Sequence, residues 1–262
     1  MTKNTRFLLG MWDAAAPGLI AIGVVVGLTL WHGVVWPSLL LCALFGARLV
    51  LRKLGLADWR TRRLLQSRSP DRMIAVCAGA TNRAIGVSGM DAVQAHSIAF
   101  VYTLYGEYES ARTELQKINW ASRPPLAQAW ERSVLALHCY FETREYEHGL
   151  ELARSARELG RSPRLIPGVR TSAAALESYV LIGEILCGRY SESGVRELEA
   201  DRNMLPLLGQ LIADWGLALA HGRTGDRASA EAARDRIRAV APHCRALSLP
   251  ASMLRPDSAS KY

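Results

Sequence analysis

Apolar positions follow two regimes along this chain. From Ala14 to Ala47 no side chain is charged, and apolar residues run almost without interruption. Beyond Pro70 they recur at intervals of three and four. Leu126, Ala129, Trp130, Val134 and Leu137 are one instance, with the spacing of a single helix face. Val and Ile do not alternate with polar residues over a useful length, so no strands are expected. Pro124-Pro125, Pro163, Pro167, Pro206 and Pro242 cut the periodic part into intervals of helix-pair size. The predicted fold class is all-α.

The uncharged run has 34 positions. One straight helix of that length would measure about 51 Å, against a hydrocarbon core of about 30 Å. Two shorter spans at about Ala14–Trp31 and Val34–Leu51 fit better, with His32-Gly33 and Pro37 as breakers. This predicts an N-terminal two-helix transmembrane hairpin. Trp12 and Trp59 flank its outer ends, and Trp31 and Trp36 its turn, where amphipathic rings favour the interface. A cleaved signal peptide, or a single tilted span around Ile22–Phe45 with the domain outside, are the competing readings. Gly23 and Gly27 form a GxxxG pattern, read as packing between the two spans or as a homo-oligomer contact.

Charge sharpens the picture. Residues 1–72 hold 10 Lys and Arg against 3 Asp and Glu, and residues 73–262 hold 22 against 21, so the net +8 sits almost wholly at the front. A neutral body without a basic stripe argues against nucleic acid as a partner. Lys3 and Arg6 precede the apolar run, Arg48, Arg52, Lys53, Arg60, Arg62 and Arg63 follow it, and the turn has none. These are the expected contacts to membrane lipid. The positive-inside rule places both ends and the large domain in the cytoplasm, with the hairpin in the inner membrane. Arg outnumbers Lys 28 to 4, which associates with a GC-rich bacterial genome. The stretch from Leu54 to Arg68 is amphipathic and reads as an interfacial helix or a continuation of the second span. Ser67-Arg-Ser-Pro70 then marks a boundary. The expected organisation is a hairpin with a basic juxtamembrane helix at 1–70, a helical body at 71–243 and a C-terminal tail at 244–262, frayed from Pro250 onward.

The body repeats itself. Tyr102-Thr-Leu-Tyr-Gly106-Glu-Tyr108, Tyr140-Phe-Glu-Thr-Arg144-Glu-Tyr146, Glu184-Ile-Leu-Cys-Gly188-Arg-Tyr190 and His221-Gly-Arg-Thr-Gly225-Asp-Arg227 each end one helix and open another. The turn positions 106, 144, 188 and 225 lie 38, 44 and 37 apart. A small residue follows each turn by five: Ala111, Gly149, Ser193 and Ala230. On these residues the segment Gly89–Pro242 resembles the tetratricopeptide repeat family, departing from it in spacing and in Arg144 at a glycine position. The resemblance implies an α-solenoid of about four helix pairs that binds a protein or peptide in a concave groove. By register from the turns, the groove face carries His96, Phe100, Thr103, Val134, His138, Phe141, Tyr179, Ile182, Trp215 and Leu219. Burial of the same stripe, by tight packing or by the chain's own tail, is the other reading.

The sequence has no GxSxG, P-loop, GxGxxG or HExxH motif, and neither a catalytic residue, a metal nor a cofactor is expected. His138 and Cys139 are adjacent, about 100° apart on a helix, which suits a shared metal poorly. The five cysteines are odd in number without ligand spacing and read as free thiols. The expected function is a membrane-anchored, non-enzymatic interaction scaffold. The alternative is an accessory or regulatory subunit of a membrane enzyme or of a secretion or assembly complex, held through its spans.

Overall fold

In the computed structural model the described residues are 44, 46, 56–82, 89–161, 169–189 and 191–248. The chain divides into two compact units, Met1–Arg60 with Leu165–Val169, and Thr61–Arg164 with Arg170–Tyr262. The expected hairpin lies outside the described residues apart from Leu44 and Gly46, both helical. Among the described residues no helix is long and apolar enough to cross a membrane.

The fold is all-α: among the described residues there are ten α-helices and no strand. They are α1 Leu56–Leu65, α2 Asp71–Asn82, α3 Met90–Tyr105, α4 Tyr108–Gln116, α5 Pro125–His138, α6 Tyr146–Gly160, α7 Val169–Leu186, α8 Glu192–Arg202, α9 Leu207–Thr224 and α10 Arg227–Val240. A π turn, Cys139–Thr143, extends α5, and short 3-10 turns occupy Trp120–Ser122 and Arg245–Leu247. Proline sets several starts: Pro125 is the first residue of α5, where no N–H is needed, and Pro206 caps α9.

Helices α3 to α10 form four consecutive pairs, each joined through one left-handed residue: Gly106 at φ 78°, Arg144 at 61°, Gly188 at 73° and Gly225 at 82°. Gly106 shows why. Its N–H donates to the Thr103 carbonyl at 3.1 Å, and the Glu107 N–H reaches back to Tyr102 at 2.9 Å, closing α3 in a Schellman motif. Arg144 takes the same conformation despite its Cβ, at a cost of about 1–2 kcal/mol.

The small residues after the turns let the second helix approach the first. Ala111 and Ala230 are buried, and a Cβ added to Gly149 would come within 2.5 Å of the Tyr140 ring. Ser193 departs from this pattern and is exposed. Helices α4, α6 and α10 start two residues after the left-handed residue, whereas α8 starts at Glu192, capped by the Ser191 hydroxyl accepting from the Gly194 N–H at 3.1 Å. The delay rotates Ser193 off the contact face.

The second unit starts ahead of the expected break at Pro70. Leu65 is fully buried, and the Tyr105 hydroxyl donates to the Ser67 carbonyl at 3.1 Å. At the other end, residues 244–248 of the expected tail pack on the body, and the stretch expected to fray from Pro250 lies outside the described residues. Cys244, Ala246 and Leu247 are buried, and the Arg245–Leu247 turn packs against α3, α9 and the π turn.

Candidate functional site

Helical spacing aligns the expected groove residues. His96, Phe100 and Thr103 share one face of α3, and Val134 and His138 one face of α5, with Phe141 on the π turn. Tyr179 and Ile182 lie on α7, and Trp215 and Leu219 on α9. The structure brings them together as interior, not as an open surface. Thr103, Val134, Ile182 and Leu219 are completely buried, and Phe100, His138, Tyr179 and Trp215 nearly so. His96 and Phe141 alone keep partial exposure. The expectation of an open groove is corrected here. Helices α7 and α9 approach too closely to leave one: a Cβ on Gly216 of α9 would fall 2.6 Å from Ile182.

Four side-chain contacts organise the layer. The His96 ring lies 6.1 Å from Phe100 and 5.6 Å from Trp130. Phe141 meets Trp215 edge to face at 4.8 Å, a favourable aromatic geometry. Thr103 Oγ1 lies 2.7 Å from His138 Nε2 and donates to the Ala99 carbonyl at 2.8 Å. A hydroxyl has one proton, so His138 Nε2–H is the donor to Thr103, and Nδ1 carries the lone pair. That Nδ1 is buried without a partner, as is the Trp215 indole N–H.

Burial holds His138 neutral, pushing its pKa down to about 4, and the nearby Arg112 adds to the effect. Arg112 bridges α4 to the π turn through Glu142 at 2.8 and 3.0 Å, and also holds Glu109 at 2.7 Å. Tyr108 packs edge-on to His138 at 5.5 Å, its hydroxyl pushed up to about 12 by burial and the Glu142 charge. A hydroxyl beside an imidazole is the raw material of a nucleophile, but substrate cannot reach this pair. Its work is to tie α3 to α5.

Two residues outside the stripe organise the packing as strongly. Tyr140 is fully buried, donates to the Tyr179 carbonyl at 3.1 Å, and is accommodated by glycines at 149 and 183. Asp214 is buried on α9 between two arginines. Arg202 of α8 bonds it at 2.6 and 3.0 Å, and Arg236 of α10 at 2.8 Å. A lone carboxylate inside the apolar run Leu211–Ala220 was the sequence signal for such a pair, because buried charge requires a partner.

Among the described residues no group of three His, Cys, Asp or Glu is placed to hold a metal ion. A surface depression of about 660 Å³ lies at the start of α6, lined by Arg144, Tyr146, His148 and Cys187 among others. A smaller one, about 270 Å³, separates α10 from the C-terminal turn. Neither opens onto the Thr103–His138 pair. Of the expected lipid contacts, Arg60, Arg62 and Arg63 are exposed on α1, and Arg48, Arg52 and Lys53 lie outside the described residues.

Compared with protein-family models, curated proteins and solved structures, the chain matches none.

Proposed function

We propose that this chain is a helical-repeat interaction module of the tetratricopeptide kind. In this reading the uncharged segment 14–47 anchors it in the bacterial inner membrane, the body faces the cytoplasm, and it recruits a protein partner without catalysing a reaction. The observation that carries the reading is the fourfold recurrence of a helix pair turning on a left-handed residue, at Gly106, Arg144, Gly188 and Gly225. A repeated pair buries its apolar face only by stacking on its neighbours, which leaves a long surface suited to other chains. The exposed arginines of α1 support a body held near anionic lipid.

The test is co-purification of membrane partners by the full chain and by a chain lacking residues 1–60. A scaffold retains its partners in both. Loss of every partner on truncation would instead support an accessory subunit held through its spans.

A further inference from the structure

The cleft between α10 and the C-terminal turn has walls of two unlike kinds. Its base is apolar: Ile237 of α10 and Cys244 and Leu247 of the turn are 5, 4 and 3% exposed. Burial pushes the Cys244 thiol up to about 12, so this base carries no charge at neutral pH. Its rim is basic. The charged residues lining it are Arg234 and Arg238, one turn apart on α10, and among the described residues no acidic side chain lines it. Their side chains are 27 and 54% exposed, so they stand at the mouth with water on one side.

The two guanidinium groups are held in place without being used up. Arg234 Nη1 donates to Glu231 at 2.7 Å. Arg238 Nη1 donates to the other oxygen of the same carboxylate at 2.8 Å and to Asp235 at 2.9 Å. Among the described residues the Nε–H and Nη2 groups of both arginines have no partner, because every bond runs through Nη1. Glu231 and Asp235, which lie outside the lining, thus fix one side of each guanidinium and leave its other edge open. That edge, Nε–H beside Nη2–H, is the fork that takes a carboxylate through two parallel hydrogen bonds. Arg202 fills the same edge with Asp214, from Nε at 2.6 Å and from Nη2 at 3.0 Å.

The space measures about 270 Å³. That is the liquid volume of about nine waters, and just under the span of about 300–1,000 Å³ typical of drug-sized ligands. It has room for one ring or a short branched chain. We infer that this cleft binds a small aromatic or branched-chain carboxylate, its apolar body on Ile237, Cys244 and Leu247 and its charge on the open edges of Arg234 and Arg238. The ligand's apolar part leaves water while its charge stays paired at the mouth, so no lone charge is buried. The C-terminal turn stays in place as one wall. The inference goes beyond the interaction-module reading and does not depend on it.

The test uses the full chain in detergent micelles with 4-fluorobenzoate as the probe, followed by fluorine NMR against micelles without protein. The probe should bind saturably, in the millimolar range expected of so few atoms. Arg234→Gln with Arg238→Gln should weaken binding by about tenfold or more, with helical circular dichroism unchanged because both side chains reach solvent. Arg227→Gln removes the same charge from an exposed part of α10 and should leave binding as it was. 4-Fluorobenzylamine, of similar shape and opposite charge, should not bind. Absence of saturable binding overturns the proposal. So do undiminished binding by the double variant, an equal loss in Arg227→Gln, or equal binding of the amine. Tighter binding of 4-fluorophenyl phosphate overturns the carboxylate assignment. If the double variant loses helicity, Arg238→Lys decides: it keeps the charge without the fork, and undiminished binding in it overturns the site.

Discussion

The Thr103 hydroxyl and His138 Nε2 lie 2.7 Å apart between α3 and α5, both residues sealed from solvent. A buried imidazole must stay neutral, and this has a pH signature. In the unfolded chain His138 titrates near its ordinary 6.5, and in the folded chain near 4. Above pH 6.5 neither form binds the proton, and stability is unaffected. As pH falls from 6.5 towards 4 the unfolded chain takes up the proton first, and about 3 kcal/mol is lost. His96, lowered to about 4 by burial, acts in the same direction. Urea midpoints between pH 7 and 4 should fall steeply in the unmodified protein and less steeply in His138→Phe. Parallel slopes would rule out the buried neutral imidazole.

Asp214 holds α8, α9 and α10 together through Arg202 and Arg236. Asp214→Ala removes the shared partner of two arginines that keep access to water, and should destabilise the body by about 1–3 kcal/mol. Replacing all three residues by apolar ones of similar size, Asp214→Leu with Arg202→Met and Arg236→Met, should recover most of the loss. Thermal unfolding followed by circular dichroism measures both. A triple variant as unstable as the single one would mean that the charges are required for more than pairing.

Arg144 and Gly106 occupy equivalent left-handed positions with unequal suitability. Arg144→Gly should stabilise by about 1 kcal/mol, because the Cβ strain outweighs the greater freedom glycine gains when unfolded. Gly106→Leu should destabilise by about 1 kcal/mol or more. Chemical denaturation of the two variants checks the signs. A destabilising Arg144→Gly would show that the arginine side chain makes a contribution larger than its strain.

Trp215 is 2% exposed. Trp215→Ala should therefore cost about 3–5 kcal/mol through the cavity it leaves, with a large fall in melting temperature. An unchanged melting temperature would restore the open-groove reading of this position.

Much of the local architecture was legible in the sequence. Gly106, Gly188 and Gly225 mark the turns because a left-handed residue without Cβ is a local requirement. Arg144 was placed by register alone and adopts the same φ region. Pro125, Pro206 and Pro242 bound helices because a missing N–H acts on the nearest turn whatever surrounds it. The start of α8 escaped this reasoning: Ser191 competes locally as a cap, and two extra residues moved Ser193 out of the contact.

The fate of the apolar stripe was decided by tertiary structure. A face carrying Phe100, Val134, Ile182 and Leu219 has one helical pattern whether it lines a groove or a core, since periodicity records which side is apolar and not what covers it. Its burial is set by long-range approach, Gly216 against Ile182 and Tyr140 against Gly149 and Gly183. The pairing of Asp214 with arginines 12 and 22 positions away belongs to the same class. The sequence by itself determined where the chain turns and which faces are apolar, because those depend on neighbours within a few residues. Which apolar faces meet and which charges pair depend on segments far apart in the chain, and only the folded body brings them within reach.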